Sequence, residues 1–350
     1  MTYFRLNIEK MAAYVPGEQP AAGERVIKLN TNENPYPPSP AALKVLHDLN
    51  GDLLRRYPNP LAEKFRRGVA RVLGFETDWI LVGNGSDELL TMIMRGMAEP
   101  GRRVVYPMPT YVLYRTLAQI QAAETVEAPY DEDYNLPVDA LAAAGGAVTL
   151  VATPNSPSGT LAPTAQLSAL AGRLRGVLVI DEAYVDFAED NALELVRKHG
   201  NVIVLRTLSK GYSLAGLRLG FAVARPELIA GLSKVKDSYN VDAVACAVGA
   251  AAFEDQAHMA ANADKVKASR AKLAGELEKL GFEVWPSQSN FMLVRPPARQ
   301  AERIYLDLKA GGILVRYFKE PRLDDKLRIS VGTDEQNAAL LKALKNRIKG

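Results

Sequence analysis

The stretch Thr207-Leu208-Ser209-Lys210-Gly211-Tyr212-Ser213-Leu214-Ala215-Gly216-Leu217-Arg218-Leu219-Gly220 decides how the chain is read. It follows the β-branched run Val202-Ile203-Val204-Leu205, which predicts a buried strand, and leads into a second apolar run, Leu219 to Ala224. Lys210 therefore sits at a strand mouth among small residues, with Arg218 close in sequence. An amine in such a place suits nucleophilic chemistry, because burial or nearby positive charge favours the uncharged form. Taken alone, a solvated surface lysine is the commoner case, so the weight falls on what surrounds Lys210.

Working upstream, short apolar strands alternate with helical segments. Trp79-Ile80-Leu81-Val82 turns through Gly83-Asn84-Gly85-Ser86-Asp87 into a helix expected over Leu89 to Met97. Small residues at that turn let backbone N–H groups face an anion, although a plain tight turn with Ser86 or Asp87 as cap reads equally well. Arg103-Val104-Val105-Tyr106 leads to Tyr111, Val148-Thr149-Leu150-Val151 to Asn155, and Val177-Leu178-Val179-Ile180 to Asp181 and Tyr184. This alternation predicts an α/β fold with a mostly parallel sheet covered by helices. Asn84, Tyr111, Asn155, Asp181, Tyr184 and Lys210 all fall where strands end, the position at which open α/β sheets bind ligands.

The two flanks differ from this middle. Leu29-Asn30-Thr31-Asn32-Glu33-Asn34-Pro35-Tyr36-Pro37-Pro38 forbids a helix or a central strand, yet carries more hydrogen-bonding groups than a spacer needs. Ser39-Pro40 then caps a helix expected to run through Leu43, Leu46 and Leu49. Beyond residue 250, a helix over Asn262 to Leu280 precedes four short strands, among them Gly312 to Arg316 and Lys326 to Val331, and a closing helix of Asn337 to Ile348. The expected division is an extended segment over 1–40, a large domain over 41–250 and a small α+β domain over 251–350.

Bulk composition narrows the function. With 43 basic and 40 acidic residues dispersed along 350, no basic stripe points to nucleic acid. No apolar run is long enough to span a membrane, and the N-terminus lacks a signal-peptide core. The single Cys246 and three scattered histidines offer no disulfide or metal-ligand spacing and suit a cytoplasmic protein. A lysine, a strand-end aspartate, an asparagine, tyrosines and an anion-binding turn match what pyridoxal 5'-phosphate requires. Lys210 would form the Schiff base, Asp181 would pair with the pyridine nitrogen, and Asn155 and Tyr184 would donate to the ring oxygen. Tyr111 would stack on the ring, while Gly85, Ser86, Asp87, Ser209 and Arg218 would hold the phosphate.

These motifs resemble the fold-type I pyridoxal-phosphate aminotransferases of the class II group. Ser209-Lys210 with Gly216-Leu217-Arg218-Leu219-Gly220, Pro154 to Gly159, and Asp181-Glu182-Ala183-Tyr184 carry that likeness. Leu29 to Pro35, Tyr14-Val15-Pro16-Gly17, Arg56-Tyr57-Pro58 and Arg328-Ile329-Ser330-Val331-Gly332-Thr333 resemble its histidinol-phosphate branch. The resemblance implies transamination between L-histidinol phosphate and 2-oxoglutarate. It also implies a homodimer in which Tyr57 reaches the partner's cofactor phosphate. Tyr14, Asn32, Arg316 and Arg328 are the substrate-binding candidates. An aromatic amino acid aminotransferase and a threonine-phosphate decarboxylase remain open alternatives.

Overall fold

A computed structural model describes residues 3–12, 18–20, 23 and 25–348. Its centre is a seven-stranded sheet of order β2-β8-β7-β6-β5-β3-β4. The strands are β2 (Ile80–Gly83), β3 (Arg103–Met108), β4 (Glu124–Pro129), β5 (Val148–Ala152), β6 (Val177–Asp181), β7 (Val202–Thr207) and β8 (Gly220–Ala224). Only β8 runs against its neighbours, β2 and β7; the other pairings are parallel. Alternating residues serve the two helical layers: Leu178 and Ile180 pack into one core, Val179 into the other. Burial on both faces is why these strands read as unbroken apolar runs. Each fully buried aliphatic side chain contributes about 1.5–3 kcal/mol, so the sheet is a firm platform for what sits on its rim. Edge strand β4, Glu-Thr-Val-Glu-Ala-Pro, escapes that pattern because only Ala128 is buried.

A second, antiparallel sheet of order β12-β13-β10-β9 is built from β9 (Glu283–Val284), β10 (Phe291–Arg295), β12 (Arg316–Tyr317) and β13 (Leu327–Ser330). It has its own core around Phe282, Met292, Ile304 and Ile329. The segment expected as one strand over Gly312 to Arg316 divides. Its first part, β11 (Ile313–Leu314), pairs in parallel with β1 (Ile27–Lys28), and the chain changes sheets at Val315. The Asn- and Pro-rich flank is thereby tied to the small sheet through β1 and through Leu29, whose carbonyl accepts from Ser330 N–H.

Three helices differ from expectation. Gly85–Met97 starts at the turn itself, with Ser86 and Asp87 in its first turn. Gln256–Lys279 begins earlier than Asn262, capped by Asp255, and packs Ala263 and Val266 against Phe187 and Val331 between the two sheets. Pro40–His47 is capped by Ser39 as expected but stops before Leu49; it buries Ala42 and leaves Leu43 and Leu46 about half exposed. Those leucines therefore do not serve this chain's own core.

Candidate active site

A cavity of about 320 Å³ opens where the carboxyl ends of the parallel strands meet the small sheet and the Asn-rich segment. Its lining includes Asp181, Ser209 and Lys210 from the large sheet's strand ends, and Arg316 and Arg328 from the small sheet. The volume lies in the range of small-molecule sites.

Asp181 is the last residue of β6 and is 4% exposed. Tyr114 donates its hydroxyl to Oδ2 at 2.8 Å, and the Ala183 N–H reaches Oδ1 at 3.2 Å. Burial pushes the carboxyl up to about 6, against the Tyr114 hydrogen bond, and the Asp87 charge adds to the rise. A carboxylate held in so dry a place gains most from a cationic partner. Tyr114 is a residue the sequence reading missed: it lies on a helix, one turn beyond Tyr111, and nothing local ties it to a strand end 67 residues later.

The anion end is built from backbone and one arginine. The first turn of Gly85–Met97 faces the cavity through Ser86 and Asp87. Gly85 adopts φ +77°, and a Cβ there would lie 2.7 Å from Arg218 Nη2. The glycine thus lets the guanidinium lie against the helix start, where amides and permanent positive charge converge. Arg218 reaches Ser209 Oγ at 3.4 Å and Asp87 Oδ2 at 3.2 Å. Tyr111 donates to the other Asp87 oxygen at 3.2 Å, so the aspartate orients both groups.

Lys210 Nζ points toward the Asn-rich segment, 3.3 Å from the Thr31 carbonyl oxygen and 5.6 Å from the centre of the Tyr184 ring. The Tyr184 hydroxyl accepts from Asn32 Nδ2 at 3.0 Å. Asn32 is 1% exposed and left-handed at φ +58°. Its N–H donates to Ser330 Oγ and its carbonyl accepts from Asn290, both at 2.9 Å. One asparagine therefore joins the N-terminal segment, the small sheet and the end of β6.

Asn155 sits behind the wall. Its Nδ2 donates to Ser158 Oγ at 2.9 Å and to the Pro109 carbonyl at 3.2 Å, while Oδ1 accepts from the Thr110 hydroxyl at 2.8 Å. Thr110, which lines the cavity, is the group that Asn155 presents. Arg328 donates to Ser156 Oγ at 3.0 Å and to the Asn30 carbonyl at 2.8 Å. Arg316 faces Arg328 across β12 and β13, and its guanidinium lies 5.2 Å from the Phe318 ring centre. Phe318, Glu320 and Leu323 complete that wall. They follow the sheet change at Val315, which the sequence does not announce.

Tyr57 does not line the cavity within this chain: it is 82% exposed and stacks on Tyr239 at 4.5 Å. Tyr14 lies outside the described residues. No cluster of potential metal ligands occurs among those described.

The donor set fits a planar, phosphate-bearing aldehyde. It offers a primary amine, a buried acid beyond it, and an amide-plus-arginine anion site. Comparison with known proteins places this geometry. Residues 24–344 match the family model for aminotransferases of class I and II. The chain is 61% identical to histidinol-phosphate aminotransferase 1 of Trichormus variabilis over 347 residues, 99% of each chain. It is 47% identical to the Geobacter sulfurreducens histidinol-phosphate aminotransferase, again over 99% of each. The crystal structure of the Sinorhizobium meliloti histidinol-phosphate aminotransferase in complex with pyridoxal-5'-phosphate superposes with a TM-score of 0.92 at 28% identity, covering 100% of this chain and 98% of that one. With its sheet order, its strand-end lysine and aspartate, and these relatives over its whole length, the chain belongs to the class I and II aminotransferases, among the histidinol-phosphate aminotransferases.

Proposed function

We propose that this chain transfers an amino group between L-histidinol phosphate and 2-oxoglutarate, yielding imidazole-acetol phosphate and L-glutamate, with histidine biosynthesis using the reverse direction. Pyridoxal 5'-phosphate, when bound, supplies the aldehyde that carries the amino group and a protonated ring that draws electrons from the neighbouring carbon. The protein's residues do the rest. Asp181, whose proton affinity burial raises, would hold the ring nitrogen's proton by its charge in that dry setting. Ser209, Arg218 and the amides of Ser86 and Asp87 would hold the phosphate. Tyr184, whose hydroxyl accepts from Asn32 and keeps its own proton, would donate to the ring oxygen, and Asn155 is the second donor this reading assigns there. Tyr111, which lines the cavity, would stack on the ring.

Lys210 Nζ, which lines the cavity beside the Thr31 carbonyl, would serve as the general base and acid that moves the substrate's α-proton. The paired Arg316 and Arg328 on the far wall are the observation that carries the substrate assignment. A phosphate monoester in one half-reaction and a γ-carboxylate in the other both need forked, permanent cations there. Tyr14 joins this side by resemblance. The same reading divides the chain at residues 40 and 250.

A homodimer completes the proposal. Leu43, Leu46, Leu54 and Tyr57 are exposed apolar groups on neighbouring segments, and a second copy that covers them brings Tyr57 to the partner's phosphate site. No helix among the described residues is long and apolar enough to cross a membrane, and the cytoplasm is the proposed location. The test compares kcat/KM for histidinol phosphate and phenylalanine with 2-oxoglutarate. Preference for the phosphate ester is expected. A phenylalanine preference, or release of carbon dioxide from threonine phosphate without need of a keto acid, overturns the assignment.

A further inference from the structure

The backbone that carries Lys210 is held on two sides by residues that touch neither substrate nor cofactor in the scheme above. On the carbonyl side, Asn34 Nδ2 donates to the Lys210 oxygen at 3.1 Å and to the Gly211 oxygen at 3.2 Å. Its own Oδ1 accepts from the Tyr36 N–H at 3.1 Å, which fixes the amide's orientation. On the other side, the Gly211 N–H is donated to the Asp186 carboxylate. A Cβ on Gly211 would come within about 2.6 Å of Asp186 Cγ, so only glycine lets the acid approach. Asp186 belongs to the short 3-10 turn Val185–Phe187 that follows Tyr184. Its neighbour Glu182 is fully buried and locked by Arg206 at 2.8 Å and by the Ala192 N–H. The turn is therefore anchored to β6 and β7 together.

We propose that Asn34 and Asp186 are positioning residues for the Lys210 amine, gripping the Lys210–Gly211 backbone from its carbonyl side and its amide side. A lysine reaches its target through a flexible stem, so its starting point must be set by the main chain. Misplacement by about 1 Å costs on the order of 100-fold in rate. The grip also joins three segments distant in sequence: the Asn-rich flank, the turn after β6 and the lysine loop. The inference rests on the reading of Lys210 as the cofactor lysine and deepens it.

The experiment uses Asn34→Asp, which keeps size but cannot donate to two carbonyls, with Asp186→Ala and Asp186→Asn. Amide hydrogen exchange is followed over 208–214 in the cofactor-free and the loaded protein. In Asp186→Ala the Gly211 amide exchanges at least about 10-fold faster, while Asp186→Asn, which keeps an acceptor oxygen, restores most of the protection. In the loaded enzyme, Asn34→Asp and Asp186→Ala lower kcat about 10- to 100-fold with KM nearly unchanged. The deuterium isotope effect at the substrate's α-carbon rises, because proton transfer by Lys210 has become the slow step. Unchanged exchange at Gly211 in Asp186→Ala, or a kcat loss with an unchanged isotope effect, overturns the proposal. Borohydride reduction and peptide mapping are run alongside. A label on a residue other than Lys210 sinks the functional reading, and the exchange data then judge the grip by themselves.

Discussion

The two walls of the cavity are made in different ways. The wall bearing Lys210 and Asp181 consists of adjacent strand ends on a sheet buried from both sides: Asp181 directly follows an apolar run, and Lys210 lies three residues past the end of β7. The wall bearing Arg316 and Arg328 hangs from two short strands, the first entered just after the chain changes sheets, with the Asn-rich flank lining the cavity beside them. The first wall is specified locally, and the proposed function gives it the cofactor chemistry. The second is assembled from three separate parts of the chain, and the proposed function gives it the choice of substrate. Losses on the first should fall on kcat, and losses on the second on KM.

The sharpest way to break this contrast is at Lys210. Lys210→Ala is expected to lower kcat about 10⁴-fold, since both a covalent anchor and a proton carrier are lost. Steady-state transamination measures it, and a loss below tenfold would remove Lys210 from the chemistry.

Asp181→Asn is the next largest, with kcat down about 100- to 1000-fold, because a neutral amide cannot hold a ring proton by charge. The same variant has an opposite effect on stability. In the cofactor-free protein the folded-state carboxyl sits at about 6, above its usual 3.8, mainly through burial. The folded state thus binds more protons than the unfolded one between those values, and stability falls as pH rises through the window. Above pH 6 the charged form is a burden, and Asn removes it. The cofactor-free variant should melt roughly 2–4 °C above the parent at pH 7.5 and show no such gain at pH 3.5. Calorimetry at the two pH values decides. Equal melting curves at pH 7.5 would mean the strain is relieved by something other than the cofactor.

On the second wall, Arg328→Lys retains charge but loses the fork that spans Ser156 and the Asn30 carbonyl. KM for histidinol phosphate is expected to rise about 10- to 100-fold, the scale of a charge-assisted hydrogen bond, with the cofactor absorbance intact. Arg316→Ala should raise KM less, about tenfold, since its guanidinium packs on Phe318. A fall in kcat at constant KM for both would erase the distinction between the walls.

The same contrast explains what the sequence made legible. The strands, their order of use and the strand-end residues follow from apolar runs whose periodicity reports burial, so Asp181, Tyr184, Ser209 and Lys210 could be named from local text. Tyr114, Glu320 and Asp186 could not, because their roles come from contacts between distant segments. Leu43 and Leu46 mark another limit. The helix expected to run through them does form, but it turns Ala42 inward and leaves them about half exposed. An apolar stripe says that a face will be covered, and not by which chain.

That point yields the smallest and most discriminating test. If a second copy covers Leu43, Leu46 and Tyr57, the Tyr57 hydroxyl is one donor among several at the partner's phosphate, beside Arg218, Ser209 and the helix amides. Removing it with Tyr57→Phe keeps the ring that stacks on Tyr239. It should weaken cofactor binding only about 2- to 10-fold, the net worth of one hydrogen bond. Leu46→Glu instead buries a charge in the covered face and should shift the protein toward monomer in sedimentation. The two variants separate contact from assembly. A Tyr57→Phe protein that binds cofactor as tightly as the parent, in a dimer that Leu46→Glu does disrupt, would keep the second copy as a scaffold. It would also make each cavity's first wall complete within one chain, the strongest form of the contrast between the walls.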